Sequence, residues 1–254
     1  MRKNLLLLIT AVLLSMASLI LAFTACKKDD SITILEEDNP VLVSSIHCYY
    51  CASADFDYDE QNRLSSIRYE DGTLIPITYP SANTIVAIVP DPIYGGEYVF
   101  TLNNDGRIVK IKRPDGFEEF YEYENGYLKK GGAGVAICTW ENGNLKSILF
   151  EDYDDTFTYS YSATLSKVPN IAPWTTPMAI IGDGGENFYH FFPSAYFGKS
   201  SKNLVASEIR NDIIENSYRY ETNADGYVTK IYNTMTWIET GQTVEYLWCE
   251  IEYK

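Results

Sequence analysis

Cys48-Tyr49-Tyr50-Cys51, with His47 just before it, is the densest group of reactive side chains in this 254-residue sequence. Two thiols at that spacing can close a disulfide, run thiol exchange, or supply half of a metal site with the histidine. A redox pair belongs at the start of a helix in a βαβ setting, whereas the residues around Cys48 read as strand. A zinc site needs a second pair of ligands, and the one other histidine is His190. Carboxylates gather twice. Asp55, Asp57 and Asp59 alternate with Phe56 and Tyr58, which predicts three acids on one strand face. Counted from Asp55, an EF-hand loop would need glycine and glutamate where Glu60 and Ser66 stand, so that type of calcium loop is excluded. Glu151, Asp152, Asp154 and Asp155 surround a predicted turn, and both acidic groups read as solvated surface.

Other chemistry has little to stand on. The sequence holds no nucleophile elbow, no His-Glu-x-x-His and no phosphate-cradling loop. Gly182-Asp183-Gly184-Gly185 lacks the lysine and spacing of such a loop and reads as a turn. With two histidines, acid–base catalysis would fall to paired carboxylates, as in a glycan hydrolase. Twenty-one tyrosines serve mostly as packing. Trp174, Tyr189 and Tyr196, in an irregular stretch, are the candidates for stacking on a ligand.

The elements that must carry these groups are strands. Thr84 to Val89, Tyr98 to Leu102 and Tyr159 to Tyr161 are rich in β-branched and aromatic residues. Val109 and Ile111 alternate with lysines, and Tyr218 and Tyr220 with Arg219 and Glu221, as in a sheet with one face buried and one wet. Asn103-Asn104-Asp105-Gly106, Asn125-Gly126, Asn142-Gly143 and Asn223-Ala224-Asp225-Gly226 supply the positive φ of tight hairpins. The hairpins resemble one another: an aromatic strand, an Asx/Gly turn, then a strand opening with Leu64, Ile108, Leu128, Leu145 or Val228. This predicts an all-β antiparallel meander of repeated hairpins over 41–254, curved or barrel-like, as a single domain. From about Lys167 to Asn203 prolines, glycines and aromatics replace that pattern. One or two short helices, packed against the sheet or into its mouth, are expected there.

The amino terminus reads as an export signal: Arg2 and Lys3, an apolar run from Leu5 to Phe23, small residues Thr24 and Ala25, then Cys26. Residues 1–25 and Cys26 resemble the signal and lipobox of bacterial lipoproteins, with Phe23 where leucine is usual; an uncleaved membrane helix is the alternative. The resemblance implies lipid attachment, including palmitate, at Cys26, with 26–40 as a polar linker. Lys28-Asp29-Asp30 is similar to the signal that sends Bacteroidetes lipoproteins to the outer face of the outer membrane. An exported chain with Cys48, Cys51, Cys138 and Cys249 permits up to two disulfides in three connectivities. The formal charge of −15 argues against nucleic acid and anionic lipid surfaces as partners.

The signal with Cys26, the Tyr58-Asp59 to Ile67 hairpin and the stretch Tyr196-Phe197-Gly198-Lys199-Ser200-Ser201-Lys202-Asn203-Leu204 together resemble an uncharacterised family of Bacteroidetes lipoproteins, the domain of unknown function 4595, with a porin-like fold. The hairpins are also similar, more weakly, to the YD repeats of Rhs shells. The resemblance implies fold and address, and no catalytic residue, metal or cofactor. The acids and lysines spread along the strands argue against insertion of the sheet into a membrane. Three functions remain open: a surface module binding glycan or protein, an assembly partner of an outer-membrane complex, and a glycan hydrolase.

Overall fold

In the computed structural model the described residues are 41–49, 52–90, 95–132, 135–152, 154–172 and 188–254, with the backbone alone for Tyr189 and His190. Cys26, Cys51 and Trp174 lie outside them.

Sixteen strands form where alternation and turn chemistry predict them. They are β1 (Val43–Cys48), β2 (Ala54–Tyr58), β3 (Leu64–Tyr69), β4 (Leu74–Ser81), β5 (Thr84–Val89), β6 (Gly96–Leu102), β7 (Ile108–Lys112) and β8 (Glu118–Glu124). Then follow β9 (Tyr127–Gly131), β10 (Ala136–Glu141), β11 (Asn144–Phe150), β12 (Asp155–Leu165), β13 (Asn203–Arg210), β14 (Ile214–Thr222), β15 (Val228–Trp237) and β16 (Gln242–Tyr253). Each strand pairs with its neighbours in the chain, and β16 returns to β1 to close the barrel. Ile46 stands opposite Ile251 and Cys48 opposite Cys249 in that closing ladder. No sheet edge is left to pair with another chain.

The proximal end holds Val41, Lys254 and the tips that carry the hairpin repeat. There the side-chain oxygen of Asp59 accepts from the N–H groups of Gln61 and Arg63. Asn103 does the same for Asp105 and Arg107, and Asn223 for Asp225 and Tyr227. The third residue after each Asx has positive φ: Asn62 at 59°, Gly106 at 76° and Gly226 at 86°. One five-residue geometry, built by a side chain that mimics a backbone acceptor, therefore recurs at three tips.

The aliphatic residue that opens the next strand explains the rest of the repeat. Val43, Leu64, Ile108, Leu128, Leu145 and Val228 are all buried, and each carbonyl lies beyond the last ladder pair with the preceding or following strand. An aromatic side chain supplies the missing donor. Tyr58 hydroxyl donates to Val43 O (2.7 Å), Tyr79 to Leu64 O (2.9 Å), Tyr123 to Ile108 O (2.7 Å) and Tyr161 to Leu145 O (2.7 Å). Trp140 indole N–H donates to Leu128 O (2.7 Å), and Tyr253 hydroxyl to Val228 O. A buried carbonyl without a donor costs about 1–3 kcal/mol. At four of the six, the residue just before the aliphatic covers the capping ring: Arg63 lies over Tyr79, Arg107 over Tyr123, Tyr127 against Trp140 and Tyr227 against Tyr253.

Most side chains sort by face on β2 to β11; on β8 the buried Glu119 and the exposed Phe120 are exceptions. Inward go Phe56, Ile67, Ile85, Phe100, Ile111 and Ile148, all buried; outward go Asp55, Arg68, Glu97, Lys112, Glu122 and Lys146, all exposed. A transmembrane barrel shows the opposite, an apolar outer band around a polar lumen. This outer wall faces water. The described residues 188–197, between β12 and β13, lie inside the same half. Two short 3-10 helices, Phe188–Phe191 and Ser194–Phe197, carry rings that pack on the inner wall: Phe191 on Phe56 (5.5 Å), Phe188 on Tyr98 (5.2 Å) and Phe192 on Phe100 (4.6 Å). The expected helices thus enter the barrel as a plug. Gly198 ends the second one with φ 95°, and a Cβ there would stand 2.7 Å from the carbonyl oxygen of Gly126.

Two substitutions test this construction. Tyr123→Phe leaves the Ile108 carbonyl uncapped and lowers the unfolding free energy by about 1–3 kcal/mol in urea titration, whereas Tyr232→Phe, whose hydroxyl meets Glu221 on the surface, changes it by less than about 0.5 kcal/mol. Gly198→Ala, strained in φ and crowded by a carbonyl, costs about 1–3 kcal/mol in the same titration.

Candidate ligand chamber

Strands β12 to β16 run for 8 to 12 residues, and their inward face differs from that of the plugged half. Register defines the rows. Tyr159 stands opposite Glu208, Glu208 opposite Asn216, Asn216 opposite Met235 and Met235 opposite Val244. The next row toward the proximal end is Tyr218, Asn233 and Tyr246. These rows share the phase of Ile231, which is fully buried opposite Cys249, so they point inward. The alternate phase is the outer surface, where Arg219 lies over Tyr232 and pairs with Glu245.

Coverage changes along the barrel. Toward the proximal end Ile231, Cys249 and Ile251 are buried; Tyr159, Glu208, Asn216, Tyr218 and Tyr246 are half-buried; Val244, near the distal turns, is 42 % exposed. An inward face that becomes more accessible toward one end is the wall of a chamber opening at that end. Ile213 and Ile238, both exposed, occupy the distal turns at its rim.

A chain of hydrogen bonds crosses the chamber wall, one residue per strand. Asn233 amide donates to Tyr246 hydroxyl (2.9 Å) and to Asn216 Oδ1 (3.1 Å), and Asn216 amide donates to Glu208 (3.4 Å). Two buried polar atoms in these rows have no hydrogen-bond partner among the described residues: Asn233 Oδ1 and the Tyr159 hydroxyl. Asn233 is only 6 % exposed. Orphaned buried groups of this kind call for a water or ligand that completes them. Burial, and secondarily the Glu208 charge, push the Tyr159 and Tyr218 phenols well above their ordinary range; they remain neutral donors at physiological pH.

The residues singled out in the sequence fall elsewhere. Tyr196 is half-buried within the plug, 6.5 Å from the Phe192 ring, and its carbonyl accepts from Tyr123 (3.3 Å). Tyr189 belongs to the first plug helix, and Trp174 is outside the described residues. Cys48 is disulfide-bonded to a partner outside the described residues. Cys138 and Cys249 are free buried thiols, so the second bridge that the cysteine count permits is not formed by them. Asp55 and Asp57 are on the outer face of β2, Asp57 accepting from Ser66 (2.8 Å). Asp59 departs from the predicted face because β2 ends at Tyr58 and its carboxylate builds the turn. Glu151, Asp152 and Asp154 form an exposed tip, while Asp155 holds Arg210 at 2.8 Å. Among the described residues no cluster of potential metal ligands is found.

Glu208, Asn216 and Asn233 escaped the sequence reading. Their signal was phase: Tyr218 and Tyr220 read as inward, and two residues back on the same face is Asn216. Likewise Ile231 and Met235 bracket Asn233. A polar residue in the buried phase is the informative exception in a strand.

Together the closed meander, the plug and the inward-facing apolar wall define a porin-like barrel with a water-facing exterior. The solved structures that it resembles are of that class. A porin-like protein from Bacteroides uniformis superposes with a TM-score of 0.62 at 13 % identity, covering 85 % of this chain and 98 % of that one. A porin-like protein from Bacteroides vulgatus gives 0.56 at 13 %, covering 84 % and 99 %. No family model matches the chain, and no curated protein does. Likeness at this identity establishes the fold.

The two buried free thiols have a solution consequence. Burial pushes the Cys138 thiol, and chiefly burial the Cys249 thiol, up to about 12. The native state keeps protons that an unfolded chain releases above about pH 8.5. Unfolding free energy therefore falls as pH rises from about 8.5 toward 12, and urea titrations at about pH 7 and about pH 10 show the decline. Both thiols stay unreactive toward a disulfide reagent until urea unfolds the barrel.

Proposed function

We propose that this protein is a non-enzymatic, lipid-anchored binding barrel of the outer membrane, facing the cell exterior, whose ligand enters the chamber between β12 and β16. The observation that carries the reading is the contrast between the two halves of one barrel. Rings from the plug fill the first half to its wall. In the second, aromatic and carboxamide side chains face inward; Tyr159, Asn216, Tyr218 and Tyr246 are only partly buried, and Asn233 Oδ1 is a buried acceptor without a partner among the described residues. The mouth of a β barrel is a common place for such a site. A glycan or a group presented by a protein partner is the ligand class expected from the aromatic lining. Support for the address comes from Cys26 with its preceding signal, Lys28-Asp29-Asp30 behind it, and the Bacteroides origin of the similar structures. These also accord with the lipoprotein resemblance noted in the sequence.

A second reading, an assembly partner of an outer-membrane complex, draws on the distal end. There Leu74, Ile88, Phe117, Phe120, Ile213 and Ile238 are exposed, and apolar rims of this kind mark interaction surfaces.

Binding of the full-length lipoprotein to an array of glycans and outer-membrane proteins distinguishes the two. Tyr218→Ala, which opens the chamber wall, lowers ligand affinity at least about tenfold, the loss expected of a buried aromatic anchor. Affinity unchanged by Tyr218→Ala, together with crosslinks from the distal rim, replaces the chamber with the assembly reading. Protease shaving of intact cells removes the barrel if it faces outward and spares it if it does not.

A further inference from the structure

From the distribution of charge along the barrel we infer that the proximal end rests on an anionic, phosphate-bearing membrane surface, with the distal turns held away from it. The inference rests on the reading of Cys26 as a lipid anchor and goes on to say which end of the barrel meets the lipid. Taken whole, a formal charge of −15 disfavours such a surface. The charge is not spread evenly, and three features separate the ends.

The first is a set of unpaired cations. Lys167, Lys199, Lys202 and Lys254 are all exposed. Each is fixed at the proximal end: Lys199 N–H donates to Gly126 O, Lys202 N–H to Gly143 O, Lys254 N–H to Leu42 O and Lys167 Nζ to Asp225 O. None of the four pairs with a carboxylate among the described residues; Lys167 lies over Tyr227 (5.4 Å), Lys199 over Tyr127 (5.2 Å) and Lys254 over Tyr58 (4.6 Å). On the outer wall Lys110, Lys129, Lys130, Lys146 and Lys230 each meet a glutamate, and Lys112 is the exception among the described residues. An ammonium has three donors, so the carbonyl contacts of Lys167 and of Lys254, whose Nζ donates to Phe56 O (3.2 Å), leave others for phosphate oxygens.

The second feature is the state of the acids at each end. At the proximal tips Asp59 is held by Arg63 (2.7 Å), Asp105 by Arg107 (3.1 Å), Glu124 by Lys129 (3.7 Å) and Glu141 by Lys146 (3.3 Å). Among the described residues of these tips Glu60, Asp225 and the carboxylate of Lys254 are left against four lysines, a small positive excess. In the distal turns Glu70, Asp71, Asp115, Asp152, Asp154 and Asp212 are exposed, and Arg113 is the one cation there among the described residues. The third feature is the place of the tether. Val41, the residue that follows the 26–40 linker, is at the proximal end, its carbonyl accepting from Asn170 N–H (3.2 Å). A lipid at Cys26 therefore holds the barrel by this end. Attraction of lysines to an anionic leaflet, and repulsion of acids, fall off within a Debye length, so the end held closest sets the balance.

The test is amide hydrogen exchange of the full-length lipoprotein anchored in phosphatidylcholine vesicles and in vesicles containing about one third phosphatidylglycerol. Exchange over 196–204 and the tips 59–63 and 103–107 should slow at least about threefold on the anionic vesicles, with the distal turns 70–73 and 211–213 unchanged. About 1 M salt should remove the difference, as should Lys199→Glu combined with Lys202→Glu. Equal exchange on both vesicles by protein whose intact mass shows a lipid on Cys26, or slowing at the distal turns, overturns the inference and leaves the anchor reading intact. An intact mass without lipid overturns the anchor reading and the inference with it. Should the double variant fail to fold, the salt dependence of the unmodified protein decides.

Discussion

The barrel depends on how the strand-opening carbonyls find donors. At the proximal end the ladders stop short of the aliphatic residue that opens the next strand, and its carbonyl oxygen is buried with its side chain. Six aromatic side chains close this gap from the far end of a neighbouring strand. Each needs an aliphatic at a strand opening and an aromatic toward the end of the following strand, and five of the six aliphatics come just after an Asx or Gly turn. The repeat visible in the sequence is the signature of that one interaction. Asn170 shows how closely the plug is tied to it, accepting from Val43 N–H (2.9 Å) while donating to the Tyr58 hydroxyl (2.8 Å).

From this shared scaffold the two halves diverge. In the first, the two short helices over 188–197 lay phenylalanines on the inner wall, so this half has an ordinary close-packed core. The deepest polar group there, Glu119 at 2 % exposure, is taken up by the Tyr121 hydroxyl at 2.7 Å, with the Arg113 guanidinium 3.9 Å away. In the second half longer strands carry the wall past the plug. Among its inward positions Asn233 Oδ1 is buried without a hydrogen-bond partner among the described residues.

The outer wall adds a constraint on where such a barrel can work. Charged residues occupy the outward phase of most strands, and many sit in surface ion pairs such as Lys110 with Glu118 (3.0 Å). Pairs of this kind contribute little stability. Their consequence is solubility: the wall belongs in water, and any attachment to a membrane must come from elsewhere in the chain, as the Cys26 reading supplies.

How much of this was legible follows the range of the interactions. Tips at Asn103 and Asn223, the antiparallel hairpin pattern and the inward phase of strands such as β14 depend on residues a few positions apart, and the sequence alone determined them. The pairing of Cys48 with Cys249 is different. Closure joins residues some two hundred positions apart, and no local propensity encodes whether a curved meander meets itself. The same holds for the site. Alternation assigned Tyr218 to the inside and would have assigned Asn216 and Asn233 there, but it could not say what that inside contains. Tyr196, an attractive aromatic in an irregular stretch, became part of the plug, while Glu208, one acid among many in the sequence, came to face the chamber. Phase is local and was readable; what the inward phase meets is settled only by the closed barrel, because that depends on which distant segments share the interior.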